Sequence, residues 1–321
     1  MRIIDLHCDT ILSCYEENQL LTARSEGHIS LDKLVSGESL AQCFALFIPS
    51  NDALEHYHHF PDSDPWTIYH ELLACYRHNM EACSARLRPA FTAEDVRNNA
   101  GAGFISAILT VEDGALTDGK TERIREMYDD GVRMLALTWN YENAIGYPNS
   151  MDDELHCKRG LKPFGFEAVS LMNDLGMIVD VSHLSEAGFY DVARASRKPF
   201  VASHSCCRAL KDHSRNLTDD QLKVIGDCGG VVGINYYDVF LGDLGGHTTV
   251  EAVIAHMKHI ADKAGLDALA FGSDFDGIES TMEFKDYSGC PLLLRALEKI
   301  YTPRQLDKIC NENFLRVFGE Q

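Results

Sequence analysis

The sequence predicts an α/β fold, a (β/α)8 or TIM barrel, and three observations carry that expectation. Eight apolar runs alternate with helical signals along 321 residues. Several of those runs end on a residue of a type that ligates metals. Such residues close both the first and the last run, and only a closed barrel brings those two together. An open doubly wound sheet is the rival reading, and it would hold them far apart.

The runs fall at about 2–7, 41–48, 104–111, 133–138, 177–182, 199–203, 230–235 and 268–273. They are rich in Ile, Val, Leu and Phe with little alternation, which suits parallel strands covered on both faces. Helices are expected between them. Thr218 with Gln221, and Thr248 with Glu251, read as capping boxes. The second opens a stripe of Val250, Ile254, Met257 and Ala261, with Gly265 beyond it. Phe166, Val169, Met172 and Leu175 form another stripe, stopped by Gly176. A helix from Arg123 to Asp130 stops at Gly131, and Thr302-Pro303 with Gln305 starts a last one. Segment 49–103 is too long for a simple loop. A helix over 66–84 and a surface excursion over 50–65 are expected there, the excursion holding His56, His58 and His59 in a solvated loop. No linker or repeat interrupts the chain, so one domain over 1–321 is expected.

The net charge of −20 argues against nucleic acid and anionic membrane as partners, because both require basic patches. Eleven scattered cysteines, with no CxxC pair, suggest free thiols in a reducing compartment and make a thiolate zinc site a poor fit. Residues 1–10 run straight into a strand, the C-terminus carries no apolar tail, and no stretch approaches about 18 apolar residues. A cytoplasmic location is the expectation.

The chemistry is expected at the strand ends. His7 and Asp9 lie two apart at a strand terminus and so point the same way. Glu112, His183 and His204 each close a further run. Any one of these has a bland reading as a structural histidine or a helix cap; their joint placement does not. Three imidazoles and two carboxylates suit zinc, with manganese, iron or cobalt as alternatives. Five ligands exceed what one tetrahedral ion needs, so two metals are expected: His7 and Asp9 on one, His183 and His204 on the other, Glu112 shared. Asp274, in Gly272-Ser273-Asp274-Phe275-Asp276-Gly277, is expected to move a proton for a bridging hydroxide, and Asp276 to be a turn residue. Arg215, in the loop after the sixth strand, has the fork that suits a substrate carboxylate, although a surface arginine is an equal reading.

These stretches, together with Val111-Glu112-Asp113-Gly114, Gly160-Leu161-Lys162-Pro163-Phe164-Gly165, Asp180-Val181-Ser182-His183, Ser203-His204-Ser205 and Ser214-Arg215-Asn216, resemble the membrane dipeptidase (renal dipeptidase) family of zinc peptidases. The likeness spans nearly the whole chain. It implies a metal-dependent hydrolase barrel with two Zn2+ ions and dipeptide substrates, some with a D-residue at the C-terminal position. It also implies Glu112 as bridging ligand, Asp274 as general acid/base and Arg215 on the substrate carboxylate, and it admits a homodimer. Relatives often read Leu-Thr-His-Asn after the fourth strand, where the His polarises the scissile carbonyl. This chain reads Leu137-Thr138-Trp139-Asn140. An indole donates a hydrogen bond but carries no charge, so Trp139 or Asn140 substitutes for the imidazole, a metal polarises the carbonyl, or Trp139 only lines the pocket. The alternatives to a dipeptidase are another binuclear amidase or lactonase on the same barrel, and a non-catalytic metal-binding homologue.

Overall fold

The computed structural model describes residues 1–50, 54, 60 and 63–321. Eight parallel strands close on themselves: β1 (Ile3–Asp5), β2 (Ser39–Phe47), β3 (Ile105–Glu112), β4 (Val132–Ala136), β5 (Ile178–Asp180), β6 (Val201–Ser205), β7 (Val231–Ile234) and β8 (Leu269–Phe271). Each pairs with its neighbours in chain order. β1 closes the ring by pairing with β8 at Asp5 and Phe271, and β2 runs beside β3 from Ala41–Ser106 to Phe47–Glu112. All eight expected runs are strands, and the rival open sheet is excluded by the β1–β8 pairing.

Alternation sorts the strand residues between two cores. Ile4, Ala41, Ile108, Met134, Ile178, Val201, Val231 and Ala270, one from each strand, gather in a single buried cluster that fills the barrel. Their neighbours Ile3, Phe44, Leu109, Leu135, Val179, Ala202, Val232 and Leu269 pack outward against the helices. At the N-terminal ends of the strands, helix Asn313–Gly319 plugs the lumen with Phe314, Val317 and Phe318.

The helices begin and end largely where capping chemistry predicts. The Thr218–Gln221 and Thr302–Gln305 boxes are both formed, and Gly176 terminates helix Pro163–Leu175 in the left-handed region at φ 79°. Two expectations need correction. Thr249, not Thr248, caps helix Val250–Ala264, because the Thr248 hydroxyl donates to the Tyr236 carbonyl instead. Phe166 is exposed, since helix Pro163–Leu175 turns Ala168, Val169 and Met172 inward.

Segment 49–103 contains helix Pro65–Ala82, close to the expected span, then a short strand Leu87–Pro89 beside β3 and helix Ala93–Gly101. His56, His58 and His59 lie outside the described residues. Phe60, within the expected surface excursion, is instead fully buried and stacks on Tyr15 at 5.0 Å. All eleven cysteines are free thiols. Among the described residues no helix is long and apolar enough to cross a membrane.

Candidate metal centre

The C-terminal ends of β1, β3, β5, β6 and β8 deliver the expected residues to one place. Glu112 closes β3 and His204 lies in β6, while His7, His183 and Asp274 stand two or three residues beyond β1, β5 and β8. His7, Asp9, Glu112, His183, His204 and Asp274 are all buried. The two carboxylate oxygens of Glu112 face different imidazoles. Oε2 lies 3.3 Å from His7 Nε2, and Oε1 lies 3.0 Å from His183 Nε2 and 3.5 Å from His204 Nε2. Asp9 Oδ2 and Asp274 Oδ1 approach His7 Nε2 from 3.5 and 3.8 Å. The His7 and His204 rings stack at 3.9 Å.

Outer contacts fix which ring nitrogen is free. Ser203 Oγ donates to Asp180, so at 2.7 Å from His204 Nδ1 it must accept from that nitrogen. Asn140 Oδ1, 2.9 Å from His183 Nδ1, can only accept as well. Both rings therefore carry their proton on Nδ1 and turn the Nε2 lone pair toward Glu112. On the other side, Asn235 Nδ2 donates to Asp274 Oδ2 at 2.8 Å, leaving Oδ1 toward His7. Asp5 receives the Ser273 N–H and hydroxyl, which anchors the turn that carries Asp274 to β1.

The backbone is held in uncommon conformations at this rim. Asp113, His183, Asp274 and Asp276 all have positive φ, between 62° and 80°. Non-glycine residues there cost of order 1–3 kcal/mol each, and such strain collects at functional sites.

The donor set fits divalent cations. His7 Nε2 and Asp9 Oδ1 are buried without a hydrogen-bond partner among the described residues. Burial pushes the Asp9 carboxyl up to about 7; His7 opposes this, while Glu112 and Asp274 add to it. Burial also raises Asp274. Burial would raise Glu112 too, but the charge on His7 holds it well below the usual carboxylate range. His183 is pushed down to about 4 by burial and by Arg215. Three carboxylates thus converge on a single imidazole that they can keep protonated, an excess of negative charge that cations would neutralise. Imidazole nitrogen and carboxylate oxygen are the ligand types zinc takes. Among the described residues, two ligand groups have atoms close enough together to hold an ion, His7–Glu112–His204 and His7–Asp9–Asp274. Their overlap at His7 differs from the expected division of ligands, in which His7 served one ion only.

A cavity of about 360 Å³ opens onto this cluster, walled by Leu12, Phe47, Trp139, Tyr237, Phe240 and Ile278. A larger depression of about 720 Å³ lies between helices Thr10–Glu17 and Pro65–Ala82. No set of metal-ligating side chains converges there among the described residues, so chemistry, not size, selects the smaller one. Trp139 stands at the cavity wall, edge-on to Phe47 at 4.8 Å and 6.2 Å from the His183 ring. Asn140 lines the cavity too, with its carbonyl oxygen on His183. Arg215 is buried with its guanidinium 5.4 Å from the Phe240 ring; Nη2 donates to the His204 carbonyl and Nε has no partner among the described residues.

The sequence reading missed Asp180, Ser203 and Asn235. Asp180 and Ser203 sit three residues before His183 and one before His204, and proximity to two candidate ligands was the available signal. Nothing local marks Asn235.

Residues 1–321 match the family described as Membrane dipeptidase (Peptidase family M19). A Klebsiella pneumoniae protein described by its place in the pqqA 5′ region is 34% identical over 264 residues, 79% of this chain and 96% of that one. An uncharacterized dipeptidase of Schizosaccharomyces pombe is 30% identical over 99% of this chain and 80% of its own length. A metallopeptidase from Rhodobacter sphaeroides, solved with a phosphinate mimic of the dipeptide L-Ala-D-Ala, superposes with a TM-score of 0.87 at 28% identity, covering 100% of this chain and 99% of that one.

Proposed function

This chain belongs to the membrane dipeptidase family of metallopeptidases and is a hydrolase acting on dipeptides; from that premise we propose that it cleaves them, L,D-dipeptides among them, with two zinc ions held at the strand ends. The observation that carries the reading is the splitting of Glu112 between two imidazole groups, Oε2 toward His7 and Oε1 toward His183 and His204. Asp9 would complete the first side. When bound, the ions would supply Lewis acidity, lowering the pKa of a water to about 7 and polarising the scissile carbonyl.

The protein's own groups do the rest. Ser203 and Asn140 keep the Nε2 lone pairs of His204 and His183 turned inward. Arg215 pairs through its fork with the substrate carboxylate. Asp274, held at Oδ2 by Asn235, takes the proton of the attacking water on Oδ1 and passes it to the departing amine. Burial already raises the Asp274 carboxyl, which suits a group that must both accept and release a proton. Trp139, uncharged and packed on Phe47, walls the pocket and fixes the substrate by contact. The apolar walls with a carboxylate hold at one end favour a two-residue substrate over a longer peptide. The likeness to the R. sphaeroides structure with its L-Ala-D-Ala mimic supports L,D-dipeptides as substrates.

The test is a panel of L,L- and L,D-dipeptides, N-acyl amino acids and lactones presented to zinc-loaded protein, with zinc per chain measured alongside. Two zinc ions and turnover of dipeptides support the proposal. Lactone turnover alone, or two zinc ions with no turnover of any substrate, refutes it.

A further inference from the structure

Asp276 takes no part in the chemistry above, yet its carboxylate is the hub of a buried network. Oδ2 accepts from Arg24 Nη1 and from Thr10 Oγ1, each at 2.7 Å, and Oδ1 accepts from the His28 backbone N–H at 2.6 Å. The Asp276 N–H donates in return to His28 Nδ1 at 2.9 Å. Arg24 is also buried. It forks onto Glu17 with Nε–Oε2 at 3.0 Å and Nη2–Oε1 at 2.9 Å, and Nη1 reaches the Ile29 carbonyl at 3.2 Å. Gly27 lies against the guanidinium: a Cβ there would meet Arg24 Nη2 at 2.4 Å. Among the described residues, the hydrogen-bond partners of Asp276 thus come from residues 10–28, so the network ties the chain that follows β1 to the turn that follows β8.

That turn touches the metal ligands directly. Asp274 and Asp276 both hold left-handed backbone, at φ 62° and 66°. Gly277 then packs against the site so closely that a Cβ would lie 2.0 Å from Asp9 Oδ2 and 2.7 Å from Asp274 Oδ1. Wherever the turn goes, those two carboxylates must follow. Buried ion pairs add little net stability compared with apolar packing, and fixing register is their best-attested use. Only a planar fork meets Glu17 at two points and Asp276 with a third nitrogen.

We propose that Arg24 and Asp276 are positioning residues for the metal centre: their pair fixes the turn Asp274–Gly277 and through it the places of Asp9 and Asp274. The inference rests on the two-metal reading of the site. The test compares zinc-loaded wild type with Arg24→Lys, Asp276→Asn and Gly277→Ala for kcat, KM, zinc affinity and amide exchange across 274–278. Losses of about 10–100-fold in kcat and in zinc affinity are expected, with KM within about threefold of wild type and faster exchange. A merely structural role would lower the melting temperature but leave the folded protein with wild-type kcat and zinc affinity, and that result overturns the proposal. Should Arg24→Lys fail to fold, Asp276→Asn keeps the shape of the site and gives the same reading. Should wild type bind zinc but cleave no dipeptide, the dipeptidase reading fails while zinc affinity still decides this one. Should wild type bind no zinc, the metal reading fails, and unchanged exchange in Asp276→Asn would overturn the clamp.

Discussion

At the lower end of the barrel, helix Asn313–Gly319 presses Phe314, Val317 and Phe318 against lumen residues such as Ile4 and Val231. At the upper end the chain buries the carboxylates of Asp9, Glu112 and Asp274 with the imidazoles of His7, His183 and His204 and the Arg215 guanidinium, and holds Asp113, His183, Asp274 and Asp276 at positive φ. The lower end is packed with apolar side chains; the upper end is built largely from charged ones. Packing alone explains the first. The second opposes stability, since buried charge and left-handed aspartate both cost free energy, and it persists because the strands beneath hold it in place. Mutations should therefore separate the two ends cleanly, one affecting folding and the other chemistry.

Asp274→Asn is the sharpest test of the upper end. It should lower kcat by about 10²–10⁴-fold with bound zinc retained, because proton transfer is lost while the amide keeps the shape. Full turnover by this variant in its zinc-loaded form would remove Asp274 from the mechanism. Phe314→Ala is its mirror at the lower end. A loss of about 3–5 kcal/mol is expected in denaturant unfolding, with kcat of the folded protein unchanged. A large drop in kcat there would dissolve the division between the two ends.

His256 sharpens the comparison among histidines, because it is buried but holds no place in the site. Its Nδ1 accepts the Cys207 N–H and its Nε2 faces the Leu241 carbonyl. Burial pushes it down to about 4, below the ordinary value near 6.5. The unfolded chain therefore takes up the proton first, so this contribution is intact above about pH 6.5 and is lost as pH falls toward 4. The full loss is on the order of 3 kcal/mol. Thermal melts at pH 7 and pH 5 should show a smaller drop for His256→Gln than for wild type. Ser203→Ala should have the smallest effect, a loss of about 10–100-fold in zinc affinity with little change in melting temperature, as the Asp180–Ser203–His204 chain no longer fixes the ring. Unchanged affinity, measured by competition with a chelator, would make that chain incidental.

Much of the fold was legible because parallel strands buried on both faces are written as uninterrupted apolar runs. The Thr218 and Thr302 caps were legible because a capping box is a local device. Thr248 misled because Glu251 completes the box pattern with it, whereas Thr249 has only Ala252 three residues on; the Tyr236 carbonyl, twelve residues upstream, takes the Thr248 hydroxyl and leaves the cap to Thr249. The candidate ligand types were legible from their position after the strands. Their outer partners were not: Asn235 meets Asp274 across 39 residues, and Asp276, which reads as an ordinary turn residue, meets Arg24 across 252.

By itself, the sequence determined the eight strands, the rim on which the chemistry stands and the residue types that could ligate metal, because periodicity and strand ends are properties of neighbouring residues. Only the tertiary structure decided which oxygen of Glu112 faces which imidazole, which ring nitrogen carries the proton, and what fastens the Asp274 turn. Those are settled where loops far apart in the chain meet at the top of a closed barrel, and no local pattern encodes that meeting.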